Sequence, residues 1–394
     1  MAVLCIHQLL ALAVIVEVAP LPVKSLSARY RNWSYYIGDY GGFVVPPDAG
    51  HFEGQTLTDA PVVYEKSPED QLPWKYRMTY LFFNGSTGAN GYEVGLALSD
   101  DLLRWTFKVG GDHGIVFKRN EYPGTYDYGG VTLGGMLWQS SALQSRRLLK
   151  KVNGKYWSLY GCYPSRAGYE AGNGGQGMAY SSDGVLWERL SNTIPVISGG
   201  SPDMPRWEDR VVYQPYLVEF NETMWNFYNA AGENQYNHTA EESGLANLAA
   251  KEFPGINFAK KQSQWSLNPA SPIIHSGPPG SDDTAMASDP KVFWDELQKV
   301  WVMFYFGLGD GTQGHADIMI AFSKDLIHWE KDEEPLYRAG GHPSGIDAQH
   351  AHKISLIYDE HGIGYLYYTA VGPKGRGIAL LTSKPKNSPS TLHV

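Results

Sequence analysis

The sequence predicts an all-β fold: a five-bladed β-propeller with four antiparallel strands per blade, its last blade closed by a strand from the N-terminus. Three observations carry this prediction. The chain is rich in glycine and aromatic residues, with 44 Gly, 26 Tyr and 12 Trp among 394 residues, which suits tight turns and pleated surfaces. One strand-turn-strand pattern recurs along the chain, and self-similarity at such a period signals a repeat architecture. The strand that the last copy lacks has a counterpart near residue 33.

The repeat reads Ala-x-Ser-x-Asp-x-x-x-Trp. It occurs as Ala97-Ser99-Asp101-Trp105, Ala179-Ser181-Asp183-Trp187 and Ala321-Ser323-Asp325-Trp329, with a weaker copy from Ala259 to Trp265. A short apolar strand meets a polar turn, and the Trp opens the next strand. Asp in the turn can bond nearby backbone, while the Trp can cover the blade edge. An aromatic strand precedes each copy, at Tyr76–Phe83, 155–160, 223–228, 300–306 and 363–369. Earlier still comes a strand that starts polar and turns apolar, at Asp59, Arg146, Gln214, Asp289 and His352. The last unit has no Trp strand after Ala379, whereas Trp33-Ser34-Tyr35 resembles Trp105-Thr106-Phe107. Closure by that segment would pair an otherwise open edge; two β-sandwiches would not explain it. The expected organisation is a signal peptide over 1–28, one propeller domain over 29–385 and a tail over 386–394.

Composition narrows the function classes. A net charge of −9 with no Lys/Arg cluster argues against nucleic acid. The apolar run Leu9–Val18 has the length of a signal h-region and is too short to span a membrane. Glu17 and the absence of a basic n-region count against that reading, and a buried N-terminal helix is the alternative. Sequons at Asn32, Asn84, Asn221 and Asn237 fit a secreted glycoprotein. Loss of Cys5 with the signal leaves Cys162 as a lone thiol.

In a propeller the first strand of each blade lies nearest the axis and starts on one common face. Asp59, Arg146, Gln214, Asp289 and His352 are therefore expected to converge on one funnel. Glu93, Glu242 and Asp317 each stand four residues before an Ala, at equivalent rim positions. Asp347-Ala-Gln-His350-Ala-His352 brings two histidines to one side of a strand. No matching Cys, His or Glu group completes a metal site there. The stretch from Val116 to Arg146, with Tyr122, Tyr126, Tyr128 and Trp138 among glycines, can wall a pocket with rings that stack on sugar faces.

These residues carry a resemblance. Ser288-Asp289-Pro290-Lys291-Val292-Phe293-Trp294 looks like the Asp-Pro blade motif of glycoside hydrolases of family 32. Ile320 to Trp329 resembles the Ser-x-Asp-Leu-x-x-Trp element that follows it there. The five-blade layout is also that of family 43 and of the mannoside phosphorylases of family 130. The resemblance implies an Asp as base or nucleophile, a second Asp orienting the sugar, and a Glu as acid. Asp59 matches the first-blade position and Asp289 the Asp-Pro position. The third-blade start is Gln214-Pro215, where family 43 has Glu before Pro, and Gln cannot donate an acidic proton.

The expected function is thus a secreted glycoside hydrolase acting on oligo- or polysaccharide. Asp59 is its base or nucleophile, Asp289 orients the sugar, and Glu242 is the acid, with Glu208, Glu233, Glu241 and His350 behind it. Gln214, His350, His352, Arg146, Trp138 and Asp347 would bind substrate. No cofactor is required, and a structural calcium ion on the axis stays open. Two alternatives stand beside this reading: a non-catalytic glycan-binding propeller, suggested by Gln214, and a phosphorylase using Arg146, Arg147 or Arg166 for phosphate.

Overall fold

The computed structural model describes residues 22–49, 57–70, 73–83, 91–107, 109, 114–167, 172–200, 205–236, 239–309 and 314–383. Among them the chain is nearly all β, with a single short α-helix, Val23–Ser27. The strands form successive antiparallel groups. After β1 (Ser34–Tyr36), β2 (Thr58–Glu65), β3 (Tyr76–Phe83), β4 (Tyr92–Ser99) and β5 (Thr106–Phe107) pair in chain order. The same order recurs in β6 (Gly130–Met136), β7 (Lys155–Tyr163), β8 (Gly175–Ser181) and β9 (Glu188–Arg189). It recurs again in β10 (Val211–Phe220), β11 (Thr223–Glu233), β12 (Thr239–Ala249) and β13 (Ser266–Leu267). Next come β14 (Met286–Asp295), β15 (Val300–Leu308), β16 (Ala316–Ser323) and β17 (Trp329–Lys331). The closing group is β18 (His350–Tyr358), β19 (Gly364–Gly372) and β20 (Gly375–Thr382). Its outer strand is β1, with Ser34 opposite Thr382.

The Ser-x-Asp turn explains why the sequence repeats. Asp183 Oδ1 accepts bonds from the Val185 and Leu186 amides and from Ser181 Oγ, while Ser181 Oγ accepts from the Gly184 amide. Asp101 and Asp325 accept the same set in their turns. The residue after the Asp is left-handed in every copy: Leu102, Gly184 and Leu326. The turn then delivers Trp105 and Trp187 into the interior. Ala259 to Trp265 departs from this pattern. Part of it forms a two-residue hairpin, Ile256–Asn257 with Gln262–Ser263, and the third strand of that group is β12.

A second repeat lies in the first strands. β2, β6, β10, β14 and β18 each contain a register shift, at Asp59/Val62, Leu133/Gly135, Tyr213/Tyr216, Ser288/Lys291 and His352/Ser355. Such bulges bend a strand and re-aim its side chains. Four of them hold a non-glycine residue at positive φ: Ala60, Gln214, Asp289 and Lys353. Each first strand also touches the first strands of its neighbours, β2 with β6, β6 with β10, β10 with β14, β14 with β18 and β18 with β2.

The second first strand corrects an expectation, because it is β6 and does not start at Arg146. A Gly-rich strand reads as loop when judged by β propensity. The glycines are needed here: a Cβ on Gly134 would stand 2.9 Å from the Pro215 carbonyl oxygen, and one on Gly135 2.8 Å from Leu159 Cβ. Arg146 lies instead at the far end of β2, bonded to both carboxylate oxygens of Glu65 at 2.7 Å.

Most of the expected 1–28 segment lies outside the described residues, which begin at 22. Its last part packs onto the fold, with Leu26 buried, and Tyr30 beyond it donates a hydrogen bond to Asp295. Asn84 and Asn237 lie outside the described residues; Asn32 and Asn221 are exposed. Cys162 is buried and is a free thiol among the described residues. No helix among the described residues is long and apolar enough to cross a membrane.

Asp101→Ala, Asp183→Ala and Asp325→Ala should each lower stability by about 1–2 kcal/mol, since each leaves two turn amides without their acceptor. Urea unfolding should show reduced midpoints with unchanged slopes.

Candidate functional site

Where the first strands begin, a cavity of about 140 Å³ opens between the third, fourth and last groups. Its wall from the third group holds Tyr213, Asn229 and Glu241. Phe306 stands on the fourth, and His350, His352, Lys353 and Arg376 come from the last. Tyr213 continues a chain of rings across the neighbouring groups: Tyr163 lies 5.9 Å from it and Tyr92 5.2 Å from Tyr163. Apolar rings interleaved with a few converging polar groups are the usual make-up of a small-molecule site.

Glu241 is the one carboxylate among the described residues that line this cavity. Tyr213 Oη donates to its Oε1, and Asn229 Nδ2 and Ser288 Oγ donate to Oε2 at 3.2 and 2.8 Å. Three donors from β10, β11 and β14 fix its orientation. Glu242, the expected acid, is turned away. Adjacent residues on a strand face opposite sides, and Glu242 accepts from the Ser276 amide at 2.8 Å and Ser276 Oγ at 3.0 Å. Among the other reserves, Glu233 pairs with Arg206. Glu208 takes a bond from Tyr228 Oη, and burial pushes its carboxyl up to about 7, but it does not line the cavity.

Asp59 lies beneath Lys353 and Arg376, fully buried. Its Oδ1 accepts from Thr369 Oγ1 at 2.8 Å and the Ala60 amide at 2.7 Å. Its Oδ2 accepts from Lys353 Nζ and Arg376 Nη1, both at 3.0 Å. Burial alone would raise its pKa, yet Lys353 and Arg376 outweigh that and hold the carboxyl well below its usual range. Asp59 is therefore a fixed charge.

The histidines are neutral. Burial lowers both, His352 to about 3. His350 Nδ1 accepts from the Ala316 amide at 3.1 Å, which puts its proton on Nε2. His352 Nδ1 faces the Thr369 carbonyl at 3.1 Å and donates to it, which leaves Nε2 an acceptor. The pair thus offers one donor and one acceptor, as sugar hydroxyls require. Their ring centroids lie 6.0 Å apart, and no group of three or more metal-ligating side chains forms among the described residues.

The other expected residues lie elsewhere. Asp289 and Gln214 share the bulge position with Lys353 and are buried. Asp289 Oδ1 holds Lys291 Nζ at 2.5 Å, while its Oδ2 and Gln214 Nε2 have no partner among the described residues. Asp347 is fully buried and accepts from Tyr337, Tyr368 and the His342 amide. Trp138 is buried under the Arg147 guanidinium, 3.7 Å from its ring. Of the remaining rim acids, Glu93 approaches Arg119 and Asp317 binds Arg338 and the Ala339 amide. In the Val116–Arg146 stretch, Tyr122 is exposed and Tyr126 stacks on Tyr160. Lys353, Arg376 and Asn229 were not anticipated. The residue-Pro step at three of the bulges, Ala60-Pro61, Gln214-Pro215 and Asp289-Pro290, marks the aligned position from which Lys353 follows; nothing local marks Arg376.

Residues 147–346 match the family described as glycosyl hydrolases family 32 N-terminal domain. No curated protein matches the chain in sequence. Among solved structures, one described as a complex of BT0996 and RGII is 24% identical, with a TM-score of 0.73 over 94% of this chain and 97% of that one. A structure described as a glycoside hydrolase is 23% identical, with a TM-score of 0.74 over 95% and 99%. A third, at 12% identity and a TM-score of 0.56 over 92% and 97%, comes from the GH130 family of mannoside phosphorylases, described as containing hydrolases of β-1,2 mannosidic linkages in Candida mannan. At these identities the likeness carries the fold.

Asp59→Asn should destabilise the protein by about 3–5 kcal/mol at neutral pH, because it takes a counter-charge from the buried Lys353 and the part-exposed Arg376. A depressed carboxyl stabilises above its unfolded pKa, ordinarily 3.8, and loses that stabilisation as pH falls through the folded value. The gap between wild type and variant should stay constant from about pH 5 to 8 and close only below about pH 4, as measured by unfolding midpoints.

Proposed function

The chain belongs to the glycosyl hydrolases family 32 N-terminal domain family and is a glycosidase, and from that premise we propose that it cleaves glycosidic bonds of an oligo- or polysaccharide in the cavity around Glu241. The observation that carries this reading is Glu241 itself, an oriented carboxylate in a cavity shared with neutral histidines, two cations and aromatic rings. Glycoside hydrolysis needs one group to protonate the departing oxygen and another to activate water or attack the anomeric carbon. We assign Glu241 to the second task, since its three donors present it as a carboxylate acceptor. Lys353, Arg376 and the two histidines bind sugar hydroxyls, and Asp59 keeps the cations in place. The strand groups are read as the five blades of one closed propeller, supported by the contacts between consecutive first strands. Secretion is part of the same reading, supported by exposed sequons at Asn32 and Asn221.

One observation favours a second reading. The cavity exposes one carboxylate and two cations, which is what phosphorolysis asks of a protein. Inorganic phosphate would attack the anomeric carbon, held by Lys353 and Arg376. Glu241 would then protonate the leaving oxygen, giving a sugar phosphate and a free hydroxyl.

Glu241→Gln should lower kcat by about 10²–10⁴-fold, whereas Glu242→Gln should stay within about tenfold of wild type. Steady-state kinetics on a glycoside found by screening a polysaccharide panel reads the difference, and the reverse order would return the role to Glu242. Under the hydrolase reading, turnover is unchanged by 10 mM phosphate (on the order of the levels that saturate phosphate-using enzymes); an absolute need for phosphate would establish the second reading instead.

A further inference from the structure

Below the candidate pocket, a small cavity of about 10 Å³ lies where the first strands meet, lined in part by Pro61, Gly134, Tyr216, Lys291 and Ile354, one residue from each. We infer that it binds one small monovalent anion of the halide type, with Arg147 as the principal donor.

Arg147 is 2% exposed. Its guanidinium lies 3.7 Å from the Trp138 ring and 5.0 Å from that of Phe293. Nη2 donates to Tyr216 Oη at 2.8 Å, and Nη1 has no partner among the described residues. No carboxylate pairs with Arg147 among the described residues. A desolvated cation is unfavourable unless a counter-charge balances it, and cation–π contact offsets only part of that cost. Lys291, the other cation on the cavity, is balanced by Asp289 at 2.5 Å, so the uncompensated charge belongs to Arg147. An anion beside Nη1 would supply both the missing acceptor and the missing charge. Size narrows its class: the space is small, about 10 Å³ for the centres of water-sized particles, which suits a halide better than the bulkier phosphate, sulfate and carboxylates. Such an ion would tie together the second, third and fourth strand groups, which supply Arg147, Tyr216 and Phe293.

Thermal unfolding of the full chain tests this in sodium chloride or bromide against sodium gluconate at matched ionic strength. A bound halide should raise Tm by roughly 2 °C for each tenfold rise in its concentration above Kd, and gluconate should not. Arg147→Met should abolish the halide dependence. Equal Tm values in chloride and gluconate would overturn the inference. Should that variant fail to fold, wild-type crystals grown in bromide decide: an anomalous peak beside Arg147 Nη1 supports the site, and water alone there refutes it.

Discussion

The rest of the structure depends on the buried charge of Asp59. It stands on the first strand of the first group and is bonded to β18, β19 and β20 of the last, through Lys353, Thr369 and Arg376. One carboxylate thus joins groups nearly 300 residues apart in sequence. Strand β1 makes a second join at the outer edge of the same group. Burial at this depth is tolerable only because all the accepting positions of Asp59 are used. The two cations it holds also line the candidate cavity, so the join between the first and last groups and the geometry of that cavity share one set of bonds.

On the proposed reading, this arrangement separates charge that reacts from charge that positions. Asp59 is ionised, saturated and out of reach of substrate. Glu241 is oriented by neutral donors and reaches the cavity. Two carboxylates in one region thereby take different work, set by surroundings rather than residue type. The histidines follow the same logic, since desolvation keeps both neutral and their backbone partners fix opposite tautomers.

How far the sequence reveals this depends on what each signal measures. The Ser-x-Asp-x-x-x-Trp turn is legible because its bonds are local, and three copies carry the same acceptors. The pairing of β1 with β20 is legible because a missing strand leaves a countable gap. The site is harder, because strand parity decides which neighbour faces the pocket, and a bulge resets parity by one. Asp59 and Asp289 look equivalent as acidic starts, yet Ala60 shares the position of Asp289. Glu241 and Glu242 differ only by that parity. Strand β6 escapes because its glycines answer to the closeness of Pro215 and Leu159, which lie far away in sequence or across a strand pair.

The claim that everything else serves is that sugar is bound against Glu241 in this cavity. A crystal structure of Glu241→Gln with an oligosaccharide that the wild type cleaves tests it most directly. The account predicts an anomeric carbon facing the residue-241 amide, either within about 3.5 Å or one water away, with hydroxyls on Lys353, Arg376 and the histidines. Density for the sugar on the opposite face of β12, against Glu242 and Ser276, would contradict it.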